Sequence, residues 1–398
     1  MRKAKPAPFP PPVLIQTTEA LKDVCDRLRH ETFVTVDTEF MRERTYWPEL
    51  CIVQLGGTAD TAVVDAQAPG LDLAPLGELL ADTAVTKVMH AARQDVEIFL
   101  LKFDAVPAPL FDTQVAAMVA GFGDQASYAE LVANLAGGQI DKAHRFSDWS
   151  ARPLSPAQIA YAAADVTHLR RVYERLTARL EQEGRLAWVA EEMAALANPA
   201  TYRADPETMW ERLKPRTNNR RFLGMLKALA AWREREAQRI NIPRQRVIKD
   251  ETLLEIAATL PETPDALARA RGIGRGFAEG KSGASLLAAI AAARALPDEA
   301  MPRPPATREG PKPSPALVQL LRVLLAAKCE QNNVAPKLVA SADDLDRLAA
   351  EDAPDVPALH GWRQEVFGAD ALALKQGGVT LGVDGKRVKL VRLLADAG

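Results

Sequence analysis

The run Thr35-Val36-Asp37-Thr38-Glu39-Phe40 limits the architecture more than any other stretch of the chain. It continues the apolar residues Phe33, Val34 and Val36, which read as a buried strand. Side chains alternate faces along an extended chain, so Asp37 and Glu39 project to the same side. Two carboxylates side by side repel unless something positive sits between them. A divalent cation is the economical answer. An acidic pair at a strand end is by itself more often turn chemistry or a solvated edge, so the rest of the chain has to supply partners.

Composition narrows the class. At 398 residues the chain exceeds one ordinary core and predicts two or three domains. A formal charge of -2 announces no global affinity for nucleic acid, although a local basic strip would suffice for it. Cys25, Cys51 and Cys329 lie far apart without a Cys-x-x-Cys pair. They read as reduced, buried hydrophobes of a cytoplasmic protein. No apolar run approaches the ~18 residues of a membrane span. Met1-Arg2-Lys3-Ala4-Lys5 followed by prolines lacks the apolar centre of a signal peptide, and residues 1–12 read as a disordered lead-in.

Short apolar runs alternate with helical patterns over residues 13–120. Val13–Ile15, Phe33–Val36, Ile52–Leu55, Ala62–Val64 and Val85–Met89 predict strands, the three in the middle as an antiparallel meander. Helical spacing follows near Leu71–Leu80, Gln94–Phe103 and Thr113–Gly121, then throughout Ser127 to Leu196, with Ser155-Pro156 as a helix start. The sum is an α/β domain over 13–200, a mixed sheet flanked by helices. Two all-α units are expected after it, at 205–295 and 316–398. A proline-rich linker over 296–315 separates them. The second helical unit reads as a worn copy of the first. Asn333-Val334-Ala335-Pro336 echoes Asn241-Ile242-Pro243, and Ser341 with Asp344 forms a rough capping box.

Further acids complete the pair. His90 ends the strand Val85–Met89, and Asp95 falls in the first turn of the next helix. Tyr161 and Asp165 are i and i+4 on a helix and share a face, with three alanines between them. Ile159, Ala160, Val166 and Leu169 make that helix mostly buried, where an unpaired Asp is costly. Asp37, Glu39, Asp95 and Asp165 with Tyr161, in this order, resemble the tyrosine-bearing DEDD superfamily of 3'–5' exonucleases. Phe111-Asp112-Thr113 resembles the segment after the second motif of that superfamily. Asp148-Trp149-Ser150-Ala151-Arg152-Pro153-Leu154, with Gln158, Tyr161 and Asp165-Val166, resembles the signature of the ribonuclease D family around its third motif. The two helical units with Asn-x-Pro corners resemble HRDC domains, and the domain order is that of the same family. One position departs: many related exonucleases carry asparagine four residues before the third acid, where this chain has Ala91.

The resemblance implies a ribonuclease H-like fold and two divalent cations, Mg²⁺ or Mn²⁺, held by hard oxygen ligands. It implies that Asp37 bridges both ions and that Glu39 and Asp165 complete the site of the nucleophile's ion. Asp95 would act on the second ion through water, and Tyr161 would orient the attacking water. Thr38, Phe40, Met41 and His90 would contact the terminal nucleotide. The implied activity is removal of 5'-mononucleotides from the 3' end of RNA with a single-stranded tail, with tRNA precursors as substrates. No membrane and no obligate protein partner are implied.

The residues themselves suggest where RNA would lie. Between Arg203 and Lys249 thirteen Lys or Arg stand against five Asp or Glu. Arg216, Arg220 and Arg221 cluster with Thr217, Asn218 and Asn219, while Arg244 and Arg246 follow Pro243. Groups of this kind make salt-dependent phosphate contacts. The plainer alternative is a solubilising helix face, which fits residues 233–239 with their interleaved glutamates. Two rival functions remain: a DNA exonuclease of the same superfamily, since HRDC domains also accompany helicases, and a scaffold that kept the fold without the chemistry. The absence of a Gly-x-x-x-x-Gly-Lys-Ser/Thr loop lowers the first, and the intact acids and tyrosine argue against the second.

Overall fold

The structure is a computed structural model that describes residues 9–141, 143–303 and 312–393. Residues 1–8 of the expected lead-in and the centre of the expected linker lie outside these. The amino-terminal part runs β1 (Val13–Ile15), α1 (Thr18–Leu28), β2 (Phe33–Met41), β3 (Glu49–Gly56), β4 (Thr61–Asp65), α2 (Ala74–Ala81), β5 (Thr86–Met89), α3 (Arg93–Phe103), β6 (Leu110–Asp112), α4 (Thr113–Val119), α5 (Tyr128–Leu131), α6 (Pro156–Gln182) and α7 (Leu186–Leu196). The strands form one sheet in the order β1-β4-β3-β2-β5-β6. β3 and β4 pair antiparallel around the turn closed by Gly57 N–H on Asp60 O at 2.8 Å. β2, β5 and β6 run parallel to one another, as do β1 and β4. The sheet is mixed, as expected.

β2 lies inside the sheet, between the antiparallel β3 and the parallel β5. Phe33 to Val36 are buried, while the strand's second half opens toward solvent. In open α/β sheets the crevice beyond the strand carboxyl ends is where ligands bind. Here that crevice lies at the ends of β2 and β5, so Asp37, Glu39 and His90 are delivered to it by topology.

Two stretches differ from the expected helix. The helical reading from Ser127 to Leu196 breaks between Ala136 and Ser155. Gly137 takes a left-handed φ of 63° and ends the turn Val132–Ala136. At Gly138 an added Cβ would stand 2.7 Å from the His168 ring, so only glycine fits. Helix resumes as α6 at Ser155, where Ser155 and Gln158 form a capping box and Pro156 takes the first helical position. The last segment is not all-α either. β7 (Val379–Asp384) and β8 (Arg387–Arg392) pair antiparallel, with Gly385 at φ 59° in their turn. Val379, Leu381 and Val383 alternate along β7, and Asp384-Gly385 is a hairpin signal that helical spacing upstream overshadowed.

The described chain forms two compact units. The described residues of one lie within 1–39, 52–201 and 310–398, those of the other within 40–51 and 202–309. The second is helical, with Arg220–Ile240, Asp250–Thr259 and Lys281–Ala295 around a core that includes Leu223, Leu226, Leu229, Leu253, Ile256, Leu286 and Ile290. In the first, the carboxy-terminal helices pack on the exonuclease-like part. Arg185 donates to Val119 O at 3.0 Å and to Asn333 O at 3.1 Å. Arg363 pairs with both Glu191 and Glu192 of α7. Trp188 and Trp362 stack with ring centres 4.6 Å apart. The helices Arg220–Ile240 and Pro315–Asn332 both end on a left-handed asparagine, Asn241 and Asn333. Ser341 and Asp344 form the expected capping box.

Candidate active site

The site is assembled around β2 by three local devices. Thr35 Oγ1 donates to the carbonyl of Val166 on α6 at 2.8 Å, one residue past Asp165. This seats α6 on the strand and brings Asp165 to Asp37. Gly56 on β3 permits the approach, because a Cβ there would lie 2.3 Å from Thr35 Oγ1 and 3.2 Å from Val166 Cβ. Tyr128 reinforces it from α5 through its hydroxyl, which donates to the backbone carbonyl of Asp165 at 2.6 Å.

Asp95 is positioned by the β5–α3 turn. Ala91 adopts a left-handed backbone, φ 56°, which an L side chain disfavours. Asp112 holds it there. Its carboxylate accepts the N–H groups of Ala91 at 3.0 Å and Ala92 at 2.8 Å while capping α4 through Gln114 N–H at 2.7 Å. α3 therefore starts at a fixed angle, and Asp95 in its first turn accepts a hydrogen bond from the Thr38 hydroxyl. Since the left-handed region penalises a Cβ, Ala91→Gly should stabilise the metal-free protein by about 1 kcal/mol. Urea unfolding of the two proteins measures the difference.

Asp37, Glu39, His90, Arg145, Tyr161 and Asp165 wall one cavity of about 400 Å³. Asp95 stands behind this wall, 7% exposed, reached through Thr38. Burial pushes the Asp37 carboxyl up, and the nearby Asp165 charge pushes it further. Glu39 rises to about 9, by burial first and then by Asp37, Asp165 and Asp95. Asp95 rises through burial and Asp37, against the Thr38 hydrogen bond. Burial raises Asp165 to about 7. The Tyr161 phenol is pushed up by burial and by the same carboxylates, with Arg145 opposing. All four acids are thus raised, Asp165 by burial and the other three by burial and neighbouring carboxylates, with no lysine or arginine paired to them among the described residues. Among those residues no three His, Cys, Asp or Glu already converge on one ion position. The donor set, all hard oxygen, fits Mg²⁺ or Mn²⁺.

The other residues expected to contact RNA are placed as follows. Thr38 is buried with its hydroxyl on Asp95. Phe40 and Met41 finish β2 and are half-buried. His90 Nδ1 lies 3.0 Å from Thr113 Oγ1, and burial lowers its pKa. In the second unit Arg220 donates to Met301 O at 2.9 Å, and Arg221 pairs with Asp298 at 2.5 Å. Arg244 pairs with the buried Glu234 at 2.9 Å. Arg216 and Arg246 are exposed, Arg216 beside a shallow depression with Lys214, Thr217 and Asn219. Sequence reading had no role for Thr35, Tyr128 or Arg145. Their signal lies in partners distant along the chain, visible only once folded.

Residues 12–181 match the 3'-5' exonuclease family, and residues 222–290 match the HRDC domain. Ribonuclease D of Granulibacter bethesdensis is 71% identical over 384 residues, 96% of this chain and 97% of that one. The chain belongs to the ribonuclease D family. The family's member from Gluconacetobacter diazotrophicus is 68% identical over 391 residues, 98% of this chain and all of its own. The crystal structure of Escherichia coli RNase D, an exoribonuclease involved in structured RNA processing, matches with TM-score 0.78 at 29% identity, covering 92% of this chain and 99% of that one. As a ribonuclease D, the chain is a 3'–5' exoribonuclease with an α/β exonuclease domain and a helical HRDC region. Among the described residues no helix is long and apolar enough to cross a membrane.

Proposed function

We propose that Asp37, Glu39, Asp95 and Asp165 hold two divalent cations, Mg²⁺ or Mn²⁺, and that this site removes 5'-mononucleotides from RNA with a single-stranded 3' tail, tRNA precursors among them, in the cytoplasm. The observation that carries the reading is that Asp37, Glu39 and Asp165 wall one cavity with Tyr161, with Asp95 buried behind them and no lysine or arginine paired to any of the four among the described residues. When bound, the ions supply positive charge against the anionic phosphodiester and lower the pKa of water. Asp37 and Asp165 wall the same cavity, and both would supply carboxylate oxygen to the ions. Glu39 joins them from the same face of β2. Asp95, set back behind Thr38, would act on the second ion through a water. The phenol of Tyr161 stays protonated at neutral pH and so orients the attacking water by hydrogen bonding without serving as its base.

Matched RNA and DNA oligonucleotides with labelled 5' ends, titrated with Mg²⁺, test the reading. Shortening of RNA from the 3' end, dependent on the metal, supports it. Preference for DNA, or activity indifferent to metal, sinks it. In the same assay Tyr161→Phe should lower kcat by about 10²-fold and leave the Mg²⁺ activation midpoint in place. Full rate in that variant would remove Tyr161 from the mechanism.

The division into an exonuclease domain, residues 13–200, and helical domains at 205–295 and 316–398 belongs to the same proposal. The left-handed Asn241 and Asn333 support reading the last as a second, HRDC-like copy with an added hairpin. The basic strip from Arg203 to Lys249 is proposed to track the RNA backbone. Arg216 and Arg246 are exposed members of it, while Arg220, Arg221 and Arg244 are engaged within the unit. Replacing Arg216 and Arg246 together by alanine should flatten the log-log salt dependence of RNA affinity by about 1. An unchanged slope would move the binding face elsewhere.

A further inference from the structure

Arg145 stands in the wall of the acidic cavity without a part in the chemistry derived so far, and Phe146 follows it in the chain. Among the described residues that wall the cavity, Arg145 alone carries a permanent positive charge. Its neighbour Phe146 is 91% exposed. The Arg145 guanidinium carbon lies 5.4 Å from the centre of the Phe146 ring, so the two side chains form one unit.

The segment that carries them is braced against Tyr161. The His144 ring meets Tyr161 edge-on at 6.1 Å. Trp149, 2% exposed, lies against the same tyrosine at 6.0 Å. Ser147 N–H closes a turn on His144 O at 3.0 Å. Beyond it Arg152 anchors the segment, pairing with Asp65 at 2.6 Å and donating to Trp149 O at 2.6 Å. Asp65 is 2% exposed. Burial would raise its pKa, but the hydrogen bonds from Arg152 and Gln16 hold it below the usual carboxylate range. An aromatic kept in water by a framework this well tied, beside a cavity that receives RNA ends, calls for a flat apolar partner.

We propose that Phe146 and Arg145 form the subsite for the 3'-terminal nucleotide, Phe146 as the platform on which its base stacks and Arg145 as the ion-pair partner of its phosphate. Every base has a π face, so stacking accepts any terminal nucleotide, as an enzyme that removes successive residues requires. A guanidinium fork matches a phosphate in geometry as well as charge. It also offsets the repulsion that the carboxylates exert on the incoming chain. The inference rests on reading this cavity as the catalytic site.

Binding of a 3'-tailed RNA, followed by fluorescence anisotropy with Mg²⁺ in an Asp165→Asn background, tests the subsite. Phe146→Ala should weaken binding by about 5- to 50-fold, and Phe146→Trp should restore it. An RNA ending in an abasic nucleotide should bind the parent as weakly as ordinary RNA binds Phe146→Ala, with no further loss in that variant. In the active enzyme Phe146→Ala should raise KM with kcat little changed, and Arg145→Ala should raise KM on both RNAs. Unchanged affinity of Phe146→Ala for ordinary RNA overturns the proposal, as does an equal loss on the abasic RNA, which would point to a role for Phe146 unrelated to the base. Full turnover by Asp165→Asn alone would instead overturn the reading of the cavity, so the two failures are distinguishable.

Discussion

Asp37→Asn or Asp165→Asn should lower turnover by at least about 10³-fold while RNA affinity measured without turnover stays close to that of the parent. Each substitution removes the charge that a divalent ion needs, yet keeps the shape of the side chain. Asp37 stands on a strand tied to α6 by Thr35, so neither change should disturb the fold. The asparagine should even relieve repulsion, and each variant should melt no lower than the parent when metal is absent. Single-turnover decay of a labelled RNA, with binding and thermal melts alongside, reads all three. A variant that loses RNA binding together with turnover would mean that these acids shape the cleft instead of holding ions.

Metal removal is the second large effect, and its sign follows from the carboxylates. Glu39 at about 9 and Asp165 at about 7 lie above their ordinary values, and Asp37 and Asp95 are raised as well. A group whose folded pKa is raised contributes stability below its unfolded pKa and loses it as pH climbs through the folded one. Metal-free protein should therefore lose stability between about pH 4 and pH 9. Divalent cations bind the deprotonated form, so their affinity should rise over the same window. At pH 8, saturating Mg²⁺ should lift Tm by about 5 °C and restore activity lost to chelation. A Tm indifferent to Mg²⁺ at pH 8 but activity abolished by chelation would place the ions outside this cluster.

How much of this was readable in one dimension depended on whether the signal was local. The strand Phe33–Val36, the paired acids two apart and the i, i+4 spacing of Tyr161 and Asp165 are short-range patterns, and they fold as read. So are the caps at Ser155 and Ser341. The order of the sheet depends on pairings across some fifty residues, such as Phe33 with Thr86, and the cavity walls on contacts across more than a hundred, such as Thr35 with Val166. Nothing near Thr35 announces that bond. The glycine break at Gly137 was masked by helical spacing on either side of it. The carboxy-terminal hairpin was legible in Asp384-Gly385 and in the alternation of Val379, Leu381 and Val383, but the helices before it set a false frame. In the basic strip charge density marked a surface, but not that three of its five named arginines also hold contacts within their own unit.

The clasp of Arg363 and Trp362 on α7 bears on how the polypeptide is made. Helix α7 leaves the ribosome well before the partners that cover its Trp188 face have been translated. At ~5–20 residues per second the interval is on the order of ten to thirty seconds. During that time Trp188, Glu191 and Glu192 are uncovered, and Met193, whose sulfur accepts the Asp112 N–H at 3.1 Å, is held from one side only. A nascent chain stalled in this window is exposed to proteases and chaperones at the helix that meets the Asp112 backbone.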